Sequence, residues 1–310
     1  MTALVTLFCS MKAFEGHNAL IQNNALDNWK HLPGVQVILL GNDPGSAEAA
    51  ATRGFRHIPQ IAVSEYGTPL LSAMFNTTQT VAGTPFVCYI NGDILLPAGF
   101  AAKVRDVSER FEKFLMVGER WDLNITKSLS FANGSCDTSR LLRQYKGKRQ
   151  VPTCIDYFAF PARMVDYMHD FRIGRPGWDN WLICETKRRG IPVVNASATL
   201  TVLHQNHGYH HVPGGNGYSW AGSPETAQNY DILAAYPGFD PLRGTILHAT
   251  YRLMPFGIRS GFTCRRLAWD TKWTTLRLFY EGRAAMVRTL AQKAPWLLTL
   301  LRRIRSRKKA

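Results

Sequence analysis

The chain has 310 residues, 45% of them hydrophobic and 11% aromatic, enough apolar surface for one large α/β domain or two smaller ones. Its six cysteines are scattered without a CxxC pair, which argues against a thiolate zinc site and for reduced thiols in a cytosolic protein. The formal charge of +15 is uneven: residues 251–310 carry 15 Lys and Arg against two acids, leaving 22 against 20 in residues 1–250. A nucleic-acid-binding domain would carry its charge on the folded body, so no nucleic-acid partner is expected. No apolar run reaches the roughly 18–20 residues of a membrane span. The opening segment MTALVTLFCS lacks a basic leader, so a signal peptide is not expected.

The predicted elements begin with short apolar runs alternating with helical patterns. Residues 3–8 (ALVTLF) read as a strand, 17–32 as a helix, 35–41 (VQVILLG) as an apolar strand, and 46–54 as a short helix stopped by Gly54. Residues 57–63 form a weaker strand. Residues 68–81 read as a helix with Thr68 as its cap and Pro69 in its first turn. Residues 85–90 (PFVCYI) form a fourth strand. This rhythm predicts a mostly parallel sheet flanked by helices, with ligands at the carboxyl ends of the strands. Neither GxGxxG nor GxxxxGK[ST] is present, so dinucleotide and P-loop fingerprints are absent.

Further along, 114–123 reads as a strand and its exit, and the polar stretch 124–150 as a loop or lid. Residues 155–161 read as a strand, and 172–190 as a Gly/Pro turn followed by a helix that Gly190 ends. The β-branched run 191–205 leads into HQNHGYHH (204–211), and a Gly-rich loop follows at 213–222. The sequence therefore divides into a body over 1–250, with halves at 1–96 and 97–250, and a basic helical tail over 251–310, which Pro295 splits.

Three constellations carry chemistry. Asp93, in YINGDILL just past the fourth strand, is placed to hold Mg²⁺ or Mn²⁺ against a diphosphate; the alternative is an Asn-Gly-Asp turn. Asp179, in GRPGWDNWLI, opens a helix and can take a proton from a hydroxyl. Trp178 and Trp181 beside it can stack on sugar rings, and the alternative for Asp179 is a helix cap. Four of the nine histidines lie in 204–211; a self-contained zinc site lacks a partner pair, and a His completing a site begun by Asp93 is more economical.

The segments YINGDILL, VGERWDL, IDYFAFP, GRPGWDNWLI and HQNHGYHH, in that order, resemble nucleotide-diphospho-sugar transferases of the GT-A fold, in a family-2-like subgroup. That resemblance covers residues of about 3 to about 230. It implies a glycosyltransferase that uses a nucleotide-diphosphate sugar, UDP-sugar favoured, with a divalent cation, Mn²⁺ or Mg²⁺, in an inverting displacement. Phe8, Ser10 and Asp43 would line base and ribose. Asp93 would be the metal-binding end of a DxD-type motif, with Asn91 standing where many relatives have the first acid. His204 or His207 would reach the metal or the diphosphate. Asp179 would be the general base, with Asp156, Trp178, Asn180 and Trp181 on the acceptor side. For Arg120 and Asp156 the choice between catalysis and structure stays open, and His210 and His211 are read as loop residues. The resemblance does not reach the tail, whose Leu, Phe and Trp mixed with Arg and Lys suit the anionic cytoplasmic face of a membrane. A glycan, lipid-linked or other hydroxyl acceptor would fit such a peripheral enzyme. The competing readings are a sugar-phosphate nucleotidyltransferase, a histidine-metal hydrolase and a non-catalytic carbohydrate-binding relative.

Overall fold

The structure, a computed structural model, describes residues 2–131, 136–207, 222–236 and 239–293. In chain order, the body runs β1 (Val5–Ser10), α1 (Gly16–Lys30), β2 (Val35–Leu40), α2 (Ser46–Ala51), β3 (Arg56–Ile58), α3 (Leu71–Val81), β4 (Phe86–Ile90), β5 (Ile94–Leu95) and α4 (Phe100–Ser108). It continues through β6 (Leu115–Val117), β7 (Arg120–Leu123), α5 (Thr138–Gln144), β8 (Lys148–Arg149), β9 (Tyr157–Pro161) and α6 (Trp178–Arg188). Next come β10 (Val193–Asn195), β11 (Val202–Gln205), α7 (Pro224–Ala234), β12 (Tyr251–Met254) and β13 (Gly257–Ser260). A last helix, α8 (Cys264–Lys293), belongs to a separate unit, Thr263–Ala310, while residues through Phe262 form the body.

The main sheet has nine strands in the order β13-β12-β10-β6-β9-β4-β1-β2-β3. The pairs among β1, β2, β3 and β4, and among β6, β10 and β12, are parallel; β9 runs antiparallel between β4 and β6, and β13 antiparallel to β12. Side chains alternate across this sheet into two cores. Leu7, Cys9, Cys88, Ile90, Tyr157 and Ala159 pack with Leu26 and Trp29 of α1 and Phe100 and Val104 of α4. Phe8, Val87, Tyr89, Phe158 and Phe160 pack with Met74 and Phe75 of α3 and Trp181 and Leu182 of α6. Apolar residues on both strand faces are why the runs read as continuous in the sequence.

Several boundaries differ from the sequence reading. Helix α3 starts at Leu71, not at Pro69, because Pro69 and Leu70 are drawn into extended bridges with Val63 and Arg172. The third strand spans only Arg56–Ile58. The stretch read as a loop contains α5 and β8, and 114–123 and 191–205 each split into two strands serving two sheets. The body also extends past residue 250, since β12 and β13 complete its sheet edge. His210, His211, the Gly-rich loop 213–221 and Pro295 lie outside the described residues.

The second sheet is small. Its order is β5-β11-β7-β8. β11 runs parallel to β7, with His204 opposite Asp122, and antiparallel to β5, with His204 opposite Ile94. One strand is thereby flanked by the end of the INGD turn on one side and by the RWD segment on the other.

Candidate active site

Parallel register places the ends of β1, β2 and β4 side by side: Ser10 pairs with Leu40, and Phe8 with Tyr89. Beyond β2, Gly41, Asn42, Asp43, Pro59 and Ile61 are among the residues lining a cleft of about 290 Å³. Gly41 has φ +92°, and a Cβ there would lie 3.2 Å from Ser10 Oγ and 3.9 Å from Asp43 Oδ2. Ser10 and Asp43 therefore approach one backbone position that only glycine fills without strain. Burial raises the Asp43 carboxyl, partly countered by a hydrogen bond from its own backbone N–H. Phe8 does not join them. It is 0% exposed, its ring edge-on to Phe75 at 5.1 Å and to Tyr89 at 5.8 Å. Strand alternation turns it into the core beneath the cleft, which corrects its assignment to the nucleotide.

Asp93, His204 and His207 converge, with one ligating atom of each within 4.8 Å of the others. Asp93 Oδ2 lies 3.0 Å from His207 Nε2 and 3.5 Å from His204 Nε2. The approach is held by Gln205, fully buried, whose amide donates to the Asp93 carbonyl at 3.0 Å and the Ile21 carbonyl at 2.8 Å while accepting from Asn24 Nδ2 at 2.9 Å. Burial alone would raise the Asp93 carboxyl, but the two imidazoles outweigh it and hold it well below the usual carboxylate range. Burial would lower His204, but Asp93 and Asp122 outweigh it, and its pKa stands at about 10. Asp93 Oδ1 is buried and has no hydrogen-bond partner. An orphaned buried carboxylate oxygen beside two imidazoles fits a divalent cation, which would replace the imidazole protons. Two nitrogens and one carboxylate suit a first-row transition ion, Mn²⁺ included, better than Mg²⁺, which prefers an all-oxygen shell.

Asn91 is turned away from this cluster. Its Oδ1 accepts from the Tyr89 hydroxyl at 2.8 Å, its Nδ2 donates to Asp156 Oδ1 at 2.6 Å, and its backbone N–H donates to the Asp156 carbonyl at 3.0 Å. An aspartate here would set carboxylate against carboxylate, which explains the amide. Arg120 Nη1 grips both oxygens of the same Asp156, at 2.9 and 3.0 Å, and its Nε lies 3.0 Å from Asp122 Oδ1. Asp156, 4% exposed, is thus a partner of Asn91 and Arg120 rather than an acceptor ligand.

Helix α6 is preceded by its cap residue Gly177, in the left-handed region at φ +101°. Asp179 sits in the first turn, not at the cap. Burial raises its carboxyl, nearby backbone N–H groups lower it, and Asp156 raises it again, leaving the pKa at about 6. Burial raises the Tyr89 phenol first, and Cys9, Asp156, Asp93 and Asp179 add to that rise through their charge. Lys12, just beyond β1, is lowered by burial, raised by Asp93 and lowered by Arg175, which itself is ion-paired with Glu225.

The other residues assigned to the acceptor face inward. Trp178, 6% exposed, packs on Tyr89 and Phe158 at 5.0 and 5.1 Å. Trp181, 1% exposed, packs on Phe171, His169 and Tyr236 at 5.1, 5.2 and 5.4 Å. Asn180 Nδ2 donates to the Gly244 carbonyl at 2.9 Å and docks the helix on its neighbour. These three build the helix seat; spacing of three and four along α6 buries the tryptophans, while Asp179 is less buried than either neighbour in the sequence. The sequence reading passed over Asp122, Lys12 and Gln205. Only Asp122 left a trace: Arg120 and Asp122 are two apart on a strand and must share a face.

No family model matches the chain, and no curated protein matches it. Among solved structures, it is similar to glucosyl-3-phosphoglycerate synthase from Mycobacterium tuberculosis in complex with phosphoglyceric acid, at 15% identity and TM-score 0.45, covering 77% of this chain and 81% of that one. The same synthase with Mg²⁺ and uridine diphosphate gives 15% identity, TM-score 0.43, and 77% and 80% coverage. TarS 1–349 of S. aureus in complex with UDP-GlcNAc gives 10% identity, TM-score 0.31, and 41% and 37% coverage. The chain thus spans well under half of the TarS fragment.

Proposed function

We propose that the chain is a GT-A-type glycosyltransferase. Its particular reaction on this reading is transfer of a sugar from a nucleotide-diphosphate donor, UDP-sugar favoured, to a hydroxyl acceptor with inversion. The observation that carries the reading is the meeting of Asp93, His204 and His207 at the carboxyl ends of the strands, and the first turn of α6 adds Asp179, whose pKa burial raises to about 6. A divalent cation bound by Asp93, His204 and His207 would neutralise charge on a diphosphate leaving group. Asp179, ionised above pH 6, takes the acceptor hydroxyl proton. The acceptor oxygen bonds to the anomeric carbon as the carbon–oxygen bond to the diphosphate breaks, and the diphosphate keeps the electron pair. Ser10, Asp43 and the cleft beyond β2 receive the nucleoside.

The tail supports a peripheral place for this enzyme on an anionic, cytoplasmic membrane face, with a lipid-linked or surface glycan as acceptor. Helix α8 carries Trp269 and Trp273, 5.6 Å apart, and exposed Leu278, Phe279 and Tyr280 among Arg and Lys. Each basic residue near an anionic surface contributes about 1 kcal/mol. Among the described residues no helix is long and apolar enough to cross a membrane. Calorimetric titration of UDP, GDP and dTDP, with and without Mn²⁺, tests the activity. Mn²⁺-strengthened binding of one nucleotide is expected. Tight Zn²⁺ binding with indifference to every nucleotide would favour a histidine-metal hydrolase instead.

A further inference from the structure

We propose that Asp122 is the positioning residue that aims His204 Nε2 at the cation, and that Arg120 and Gln150 hold Asp122 in place for that purpose. The inference rests on the cation-dependent reading above and adds a residue to it. The parallel pairing of β7 with β11 sets Asp122 directly opposite His204. Asp122 Oδ1 lies 3.2 Å from His204 Nδ1, on the side of the ring away from Asp93. The same oxygen lies 3.0 Å from Arg120 Nε, and Asp122 Oδ2 accepts from Gln150 Nε2 at 2.7 Å. Arg120 is itself fastened by Asp156, and Asp156 by Asn91. Asp122 is therefore held by a hydrogen bond at Oδ2, and at Oδ1 by charge alone, since its contacts with Arg120 Nε and His204 Nδ1 lack hydrogen-bond alignment.

The consequence is a choice of tautomer and of ring orientation. An imidazole has two nearly equivalent orientations about its last torsion, related by a half-turn, and two neutral tautomers. A carboxylate oxygen 3.2 Å from Nδ1 favours, through its charge, a proton on that nitrogen, which leaves the Nε2 lone pair for the side of Asp93 and His207. Carboxylate–imidazole–metal arrangements work this way, and losing the outer carboxylate costs roughly 10- to 100-fold in metal affinity.

The test is Mn²⁺ affinity by calorimetry, with the visible spectrum of bound Co²⁺ as a second readout, on the full chain. Asp122→Asn is expected to weaken Mn²⁺ by roughly 10- to 100-fold and to alter the Co²⁺ spectrum, with metal-free UDP binding retained. In a His204→Ala background the same substitution should change Mn²⁺ affinity less than about twofold, because its effect passes through that ring. Equal losses in both backgrounds, or no loss in the parent background, would overturn the positioning role while leaving the cation site intact. A parent protein that takes up no Mn²⁺ would instead sink the cation-dependent reading, and this inference with it. Should Asp122→Asn fail to fold, Gln150→Leu frees only Oδ2. A several-fold loss that vanishes in the His204→Ala background is expected, and an unchanged affinity refutes the proposal.

Discussion

Replacing Asn91 with aspartate supplies the acid that a DxD-type motif would have at that position, and the geometry predicts harm rather than benefit. The Asn91 amide nitrogen stands 2.6 Å from Asp156 Oδ1, so the substitution brings two carboxylate oxygens to that spacing. Two full charges so placed repel by about 6 kcal/mol at an effective dielectric near 20. Taking up one proton at pH 7, from an ordinary carboxyl pKa of about 3.9, costs about 4 kcal/mol and is the cheaper route. A shared proton restores a hydrogen bond worth about 1 kcal/mol, and Arg120 already neutralises part of Asp156, so the net loss is about 2–3 kcal/mol. For a body of this size, that lowers the unfolding midpoint by roughly 5–10 °C. The folded pair has a raised pKa, so the penalty is full above that pKa and shrinks as the pH falls and the proton is taken up. Thermal unfolding by circular dichroism at pH 8 and pH 5, with Mn²⁺ titration alongside, measures this. A variant as stable as the parent at pH 8, with tighter Mn²⁺ binding, would refute the reasoning, since Asn91 would then face the cation rather than Asp156.

Other consequences are open to measurement. Transfer should rise as pH increases through about 6, where Asp179 ionises, and then level off; a kcat/KM profile flat from pH 5 to 8 would remove it as the base. Asp179→Asn should lose roughly 10²- to 10⁴-fold in transfer. It should also gain stability at pH 8, about 3 kcal/mol by denaturant unfolding, because the penalty on the charged form builds up between the ordinary carboxyl pKa and about pH 6 and is complete above it. His207→Ala should weaken Mn²⁺ at least about tenfold without altering metal-free nucleotide binding, and in the parent Mn²⁺ should displace Mg²⁺; preference for Mg²⁺ would contradict an imidazole-containing site. Removing residues 263–310 should abolish co-sedimentation with phosphatidylserine vesicles; persistence of the truncated body in the pellet would locate the attachment elsewhere.

Much of the architecture was written locally. Runs such as VQVILL and FVCYI, with apolar residues on both faces, could only be strands covered on two sides, and the helices between them made the sheet mostly parallel. Asp93 past one strand, Asp179 at a helix start and His204 at another strand end were visible as chemistry-bearing residues because each sits at the end of a local element. What each one faces was decided only by tertiary structure. Phe8, Trp178 and Trp181 have the residue types of a ligand site and the burial of a core, and the difference lies in which way strand alternation and helix phase turn them. Asn91 looks like a degraded metal ligand until Asp156 appears beside it, 65 residues away in sequence. The grouping of Asp93, Asp122 and His204 depends on backbone hydrogen bonds joining β5, β11 and β7. Hydrophobic periodicity extends only along one element, whereas that pairing joins segments far apart in the chain, so the sequence names the candidate residues and the second sheet makes them neighbours.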